Sequence, residues 1–326
     1  YRGDAGIAIQ ARALMDAYEA LGCTATWTCA PYQLPNRPAL GEQIAWAESN
    51  AIVFANSVLG ARTNRYGDFL DICAAITGRV PNVGLHQTTH RRGQIVFSLE
   101  QVSQAWLEDG VLCTLLGFIV GQTSGSSIPV LLGLPKSTTE DDLKALGATA
   151  ASSGRVAMFH AVGITPEAPS LAAALQDQAP EKTILITNAN LQAAQNHLNT
   201  LAVGAELTAI SLGTPHFSLA EFARLVPLLT GLQCHPKLEF LVSTNRSTLK
   251  QLEENGWLLE LNRFGAQIVV DTCTYITPIL RQKSGAVMTN SGKWAHYAPA
   301  NLGVMVAFGS LRDCVHSAVQ GSVWRE

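Results

Sequence analysis

The side chains best suited to chemistry fall into four short clusters, each beside an apolar run, where folds place function more often than packing. The first is Trp27-Thr28-Cys29-Ala30-Pro31-Tyr32-Gln33. The second runs from Glu48-Ser49-Asn50 through Asn56-Ser57 to Arg62-Thr63-Asn64-Arg65-Tyr66-Gly67, with two arginines, three asparagines and two serines in a short span. Planar guanidinium groups among amides suit two-point binding of a carboxylate, so Arg62 and Arg65 are expected to clamp one, with Asn50, Ser57, Thr63 and Asn64 shaping the loop. The third cluster, Asp271-Thr272-Cys273, follows an apolar run ending at Val270. The fourth is Met288-Thr289-Asn290-Ser291-Gly292-Lys293-Trp294-Ala295-His296-Tyr297, in which Lys293 could depress the pKa of Ser291 and make it a base. Each cluster also has an ordinary structural explanation. Loops rich in Asn, Ser and Thr satisfy their own backbone, and buried cysteine is a common small core residue.

The elements that must position these residues alternate between strand and helix. Ala5 to Leu21 carries Ile9, Ala13, Leu14, Tyr18 and Leu21 at helical spacing, and Gly22 ends it. Ala51-Ile52-Val53-Phe54-Ala55 is a short apolar run that suits a strand buried on both faces. From Lys182 on, apolar runs at 183–187, 207–212, 238–243 and 267–270 alternate with helical stretches near 191–201, 219–229 and 246–255. Short runs at 286–288 and 304–307 continue the pattern. Such a series predicts an α/β fold with doubly wound parallel sheets, helices on both faces and at least two domains, its ligands outside the carboxyl ends of the strands. The polar stretch 135–154 suggests a soft boundary near residue 150. The expected organisation is a first α/β domain over 1–150, a second over 151–270, and a closing segment, 271–326, packed back on the first.

Composition narrows the function. The 326 residues are 47% hydrophobic and 14% charged, which excludes a disordered chain. A net charge of −3 supplies no basic field for nucleic acid. The longest uncharged stretch, Gly110 to Pro135, is broken by polar residues from Gln122 to Ser127 and reads as buried core, so no membrane partner is expected. No leader follows Tyr1, and the seven cysteines are odd in number and scattered, which suggests a reducing, cytoplasmic setting with thiols available for metal. Gly-x-Gly-x-x-Gly, a complete phosphate loop, Gly-x-Ser-x-Gly and Cys-x-x-Cys are all absent, so dinucleotide, nucleotide, serine-hydrolase and zinc-ribbon readings lose their markers. Among the histidines, His90, His197, His235 and His316 read as surface or structural. His160 suits a core histidine as well as a ligand and receives no role.

The order and wording of the clusters resemble the aconitase X family. The likeness is carried by Thr28-Cys29-Ala30-Pro31-Tyr32, by the long string from Glu48-Ser49-Asn50 to Gly60-Ala61-Arg62-Thr63-Asn64-Arg65, by Ala74-Ala75-Ile76-Thr77-Gly78-Arg79, by Asp271-Thr272-Cys273 and by Thr289-Asn290-Ser291-Gly292-Lys293. It covers essentially the whole chain as the large, catalytic portion of that family. The resemblance implies an aconitase-like fold and a hydro-lyase with a cysteine-bound iron centre, an iron–sulfur cluster of the 2Fe-2S type or mononuclear iron, acting as Lewis acid. It places Cys29, Cys73 and Cys273 at that metal. His216 and His296 lie within matched motifs, and His216 is expected beside the substrate. The resemblance also implies a small-molecule hydroxy acid substrate. Thr214, Cys73 and Tyr66-Gly67-Asp68-Phe69 resemble the bacterial branch, which implies cis-3-hydroxy-L-proline going to Δ1-pyrroline-2-carboxylate. Mevalonate 5-phosphate dehydration and a metal-free binding or regulatory subunit are the alternatives. The family's small swivelling domain has no counterpart here, so the resemblance puts the principal base, a serine, on that partner and leaves Ser291 and Lys293 as the catalytic candidates within this chain.

Overall fold

The computed structural model describes residues 1–282 and 284–326. Up to the middle of the chain the elements are α1 (Ala5–Ala20), α2 (Ser49–Phe54), α3 (Leu70–Thr77), β1 (Ile95–Gln101), α4 (Gln104–Leu107), α5 (Leu112–Ser124), β2 (Pro129–Leu132), α6 (Glu140–Ser153), β3 (His160–Ala161), α7 (Leu171–Ala174), β4 (Lys182–Thr187) and α8 (Asn188–Leu198). There follow β5 (Ala209–Leu212), α9 (Leu219–Leu229), β6 (Glu239–Thr244), α10 (Arg246–Glu254), α11 (Trp257–Phe264), β7 (Ala266–Val270), β8 (Ala286–Thr289), α12 (Gly292–Leu302), β9 (Met305–Phe308) and α13 (Leu311–Gln320). The chain forms two compact units. The first comprises Tyr1–Cys29, Asn199–Asn290 and Tyr297–Glu326; the second comprises Ala30–Leu198 and Ser291–His296.

The first unit is built on a parallel sheet of order β7-β6-β5-β8-β9. Its inner strands β6, β5 and β8 are buried along their whole length, as strands covered on both faces are. Phe217, Phe222, Leu225, Phe240, Val242 and Phe264 fill its core between the sheet and the helices α9 and α11. The chain runs outward from β5 through β6 to β7 and then returns to the other side of β5 for β8, so the order reverses between β5 and β8. Doubly wound sheets open their ligand crevice at the carboxyl ends beside such a reversal.

The second unit holds a parallel sheet of order β3-β2-β1-β4, with Ile95 opposite both Pro129 and Lys182. The run at 183–187 therefore forms a strand as expected, but it pairs with β1 and does not lead the series that continues at β5. A local pattern cannot distinguish the two, since it reports burial on both faces and not which sheet offers a free edge. The expected strand at 51–55 is also corrected: Ser49–Phe54 is the helix α2, started by Glu48, whose carboxylate accepts the Ala51 N–H. With Asn50 through Phe54 all buried, no exposed side remains to give a helical period, and a short apolar run reads alike in either state.

The apolar run at 111–120 spans the N-cap Val111 and the first part of α5 and is almost wholly buried, in agreement with its reading as core. Residue 150, near the expected boundary, lies inside α6. The polar residues there, Glu140, Asp141 and Asp142, occupy the first turn of that helix behind a Thr139–Asp142 capping box, and Leu143, Leu146 and Ala150 behind them are buried. Among the described residues, no helix is long and apolar enough to cross a membrane.

Packing of α5 on α6 depends on missing side chains. A Cβ at Gly117 would lie 2.3 Å from the Leu146 carbonyl oxygen, far inside van der Waals contact. Gly117→Ala is accordingly expected to lower the urea midpoint by an amount equivalent to about 1–3 kcal/mol, the usual cost of overpacking. Gly110→Ala, where the added methyl meets nothing within 4 Å, should leave the midpoint in place.

Candidate active site

Three loops of the first unit converge. Cys29 ends the segment that follows Trp27, whose φ of 40° lies in the left-handed region. His216 lies in the loop after β5, and Cys273 comes three residues after the end of β7. The two sulfurs and one imidazole nitrogen lie within 4.8 Å of one another. The Cys29 and Cys273 sulfurs are 3.7 Å apart. A disulfide would require about 2.05 Å, so they are not joined to each other. Two thiolates sharing one tetrahedral metal at about 2.3 Å stand about 3.8 Å apart, so the observed separation fits a common metal. Two soft sulfurs with an imidazole also form a donor set suited to iron or zinc.

Neighbouring groups orient this trio. His216 Nε2 is 3.2 Å from the Thr272 carbonyl, which can only accept, so Nε2 carries a proton. Its Nδ1 is 3.0 Å from Thr28 Oγ1, which donates to the neutral ring. The backbone N–H of His216 points at Cys29 Sγ at 3.3 Å and favours the thiolate. Burial works against charge on His216. The Cys29 sulfur, the Thr272 carbonyl and the Asp271 carboxylate outweigh it, and the pKa is raised. Asp271, at φ 66°, is pinned by Arg246, whose Nε and Nη2 reach its carboxylate at 2.9 and 2.6 Å. That pair fixes the backbone just before Cys273.

Other thiols differ in kind. Burial raises the pKa of Cys113 and Cys314 far above the ordinary thiol range and pushes Cys234 up to about 11, which keeps all three protonated. Cys73, expected as a ligand, is exposed on α3 in the second unit and does not belong to the converging group. His216, expected near substrate, stands in the third position. No sequence spacing joins residues 29, 216 and 273, because it is the sheet topology that brings them together.

A second polar cluster lies wholly within the second unit. Glu48 caps α2 and is its hub. Its carboxylate accepts from Ala51 N at 2.9 Å, from Asn50 Nδ2 and from Lys293 Nζ. Asn50 Oδ1 in turn accepts from Tyr32 Oη at 2.6 Å. Lys293 also reaches Ser49 Oγ at 3.4 Å, and its side chain is 4% exposed against 33% for Glu48. Ser291 Oγ accepts from Trp294 N at 3.1 Å and so caps the first turn of α12. Gly292 lets that turn seat closely, since a Cβ there would fall 2.5 Å from Thr149 Oγ1. Sequence patterns give no hint of Glu48 as a hub, because glutamate is an unusual N-cap.

The remaining expected clamp residues brace the fold. Arg65 reaches the Ala151 and Gly154 carbonyls at 3.3 and 3.4 Å, at the carboxyl end of α6, where a cation complements the helix dipole. Asn64 ties Val83 and Leu85, Ser57 accepts from Phe159 N, and Thr63 exchanges bonds with Asn56. Arg62 donates to the His86 carbonyl at 3.1 Å and lines a separate cavity of the second unit.

Comparison with known proteins adds kinship to this geometry. Family models match residues 2–89 as aconitase X first domain, 93–196 as aconitase X second domain and 207–320 as aconitase X third domain. Over 314 residues the chain is 43% identical to the cis-3-hydroxy-L-proline dehydratase of Hypocrea jecorina, covering 95% of this chain and 52% of that protein. The phosphomevalonate dehydratase large subunit of Methanosarcina mazei is 33% identical over 309 residues, covering 94% of this chain and 73% of that one. The crystal structure of Thermococcus kodakaraensis aconitase X in its holo-form aligns with a TM-score of 0.87 at 30% identity, covering 97% of this chain and 78% of that one. The chain spans about half the length of the cis-3-hydroxy-L-proline dehydratases it matches.

The Glu48–Lys293 pair predicts an asymmetry. Glu48→Gln strands a buried ammonium and removes a charged helix cap, and is expected to destabilise the chain by about 1–3 kcal/mol in urea unfolding. Lys293→Met leaves a carboxylate that water still reaches and should cost less than half as much. Equal losses in the two variants would contradict the burial argument.

Proposed function

The chain belongs to the aconitase X family, and from that premise we propose that it forms the larger part of a hydro-lyase acting on cis-3-hydroxy-L-proline. The observation that carries the reading is the 3.7 Å approach of Cys29 and Cys273 beside His216. Eliminating water from a β-hydroxy acid requires a polarised leaving hydroxyl, an anchored carboxylate and a base for the Cα proton. Cys29, Cys273 and His216 are the residues proposed to hold an iron–sulfur cluster or mononuclear iron, His216 through Nδ1 in exchange for its hydrogen bond from Thr28; when bound, that centre would supply Lewis acidity to the departing hydroxyl.

Lys293 is the proposed carboxylate anchor, held ready by Glu48 and Ser49, with Asn50 oriented beside them through Tyr32. Arg65 takes no part, since its guanidinium closes the end of α6. Ser291 serves as a helix cap, and the base is assigned to a serine on a small swivelling domain, either a separate subunit or the remainder of a longer chain. Loss of the Cα proton and the C3 hydroxyl as water leaves an enamine, which relaxes to Δ1-pyrroline-2-carboxylate. The scattered cysteines suit a reducing, cytoplasmic setting for this chemistry.

The test is an anaerobic assay of iron-loaded chain with and without the small domain, offered cis-3-hydroxy-L-proline or mevalonate 5-phosphate. The complete pair should form the cyclic imine, and the chain alone should form little. Lys293→Met in the complete pair should lower kcat/KM by roughly 10- to 100-fold, as loss of a charged hydrogen bond to substrate does. Turnover of mevalonate 5-phosphate alone would transfer the assignment to that substrate. No turnover of either by a fully loaded pair would leave a binding or regulatory role in its place.

A further inference from the structure

Cys273 lies beyond a sharp turn, and that turn has to be held. β7 ends at Val270, opposite Thr244 of β6. Asp271, the next residue, has a φ of 66°, in the left-handed region that side chains other than Asn and Asp enter only at a cost. The two residues after it both bring polar atoms to the converging group. The Thr272 carbonyl lies 3.2 Å from His216 Nε2, and the Cys273 sulfur lies 3.7 Å from that of Cys29. The direction in which the chain leaves Asp271 therefore sets where both arrive.

Side-chain contacts fix this segment on either side of Cys273. Thr272 Oγ1 meets Thr277 Oγ1 at 2.5 Å, and Thr274 Oγ1 meets Ser211 Oγ on β5 at 2.5 Å. The turn itself is held by Arg246, whose Nε lies 3.0 and 2.9 Å from the two carboxylate oxygens of Asp271 and whose Nη2 lies 2.6 Å from one of them. Arg246 opens α10 directly after Asn245, a buried cap whose Oδ1 accepts from Thr248 N at 2.8 Å. A side chain anchored just past the end of β6 thus grips the residue just past the end of β7. Contact through two nitrogens of a planar guanidinium restrains the carboxylate in a way that an ammonium does not. The Arg246 side chain is 71% exposed, so the pair adds little to folding. Its geometry suits positioning better than stability.

We propose that Arg246 and Asp271 are positioning residues for the metal: by locking the turn after β7 they set Cys273 and, through the Thr272 carbonyl, the ring of His216 for joint coordination. This rests on the assignment of Cys29, Cys273 and His216 as ligands. Partners that orient ligands in this way contribute about 10- to 100-fold to metal affinity. The probe is cobalt(II), whose sulfur-to-metal absorption band reports a bound thiolate, titrated anaerobically into the full chain. Arg246→Ala and Asp271→Asn are each expected to weaken cobalt binding by roughly tenfold, with Arg246→Lys intermediate. The double variant should bind no more weakly than either single one, because both remove the same contact. The urea midpoint of the metal-free chain should stay in place in Arg246→Ala. Unchanged affinity in Arg246→Ala overturns the proposal, and that exposed position decides the matter should Asp271→Asn fail to fold. Losses that multiply in the double variant overturn it too, since the two residues would then act separately. A metal-free midpoint that falls in step with affinity makes the pair a brace of the fold and also overturns it. Cys273→Ser separates the proposal from the assignment beneath it. Loss of the band there with unchanged affinity in Arg246→Ala strikes the pair alone, whereas retention of the band there strikes the ligand assignment and the proposal with it.

Discussion

Sulfur atoms 244 residues apart in sequence must meet within 3.7 Å, and much of the first unit is organised around that requirement. Cys273 can reach the meeting point only because β7 ends there, in register with β6 from Phe240–Ala266 to Thr244–Val270. The left-handed Asp271 turns the chain, and Arg246 holds that turn. His216 reaches it from the loop after β5, next to β6 in the same sheet. The Thr272 carbonyl, which can only accept, places the proton on Nε2 of His216, and the Thr28 hydroxyl meets Nδ1. A one-residue slip of β7 would point its side chains to the opposite face and displace the thiol, so sheet register and the approach of the two sulfurs are the same constraint.

The second unit depends on a different interaction. Arg91, with its side chain 0% exposed, would be intolerable as a bare charge. It is held by Glu167, by the Asn56 side chain and carbonyl, and by the Leu85 and Ala61 carbonyls. These contacts stitch the loop from Asn56 to Arg65 onto the sheet region behind it. The residues in that loop with the strongest chemical character therefore serve as braces: Arg65 closes a helix, Asn64 and Thr63 close turns, and Ser57 satisfies a buried N–H.

Much of this is legible in the sequence, and the exceptions have identifiable causes. Strands β4 to β7 and helices α1, α9 and α10 stand where periodicity puts them. Ser49–Phe54 reads as a strand because complete burial erases the helical period, and β4 reads as part of the later series because periodicity carries no information about pairing. Cys29 and Cys273 are marked by the wording of their motifs. Cys73 enters the expected ligand set through its branch-specific position in the family resemblance, whereas His216 joins Cys29 and Cys273 only through the sheet topology, which no linear reading shows. The hub role of Glu48 leaves no mark in a linear text at all.

Whether Cys29 and Cys273, with His216, hold the metal is tested most directly by metal stoichiometry and sulfur-edge X-ray absorption on anaerobically reconstituted chain, using Cys29→Ser, Cys273→Ser, His216→Ala and Cys73→Ser. The converging geometry predicts loss of metal and of the metal–sulfur signal in both Cys29→Ser and Cys273→Ser, weakened binding in His216→Ala, and full retention in Cys73→Ser. Retention in Cys273→Ser together with loss in Cys73→Ser would contradict it.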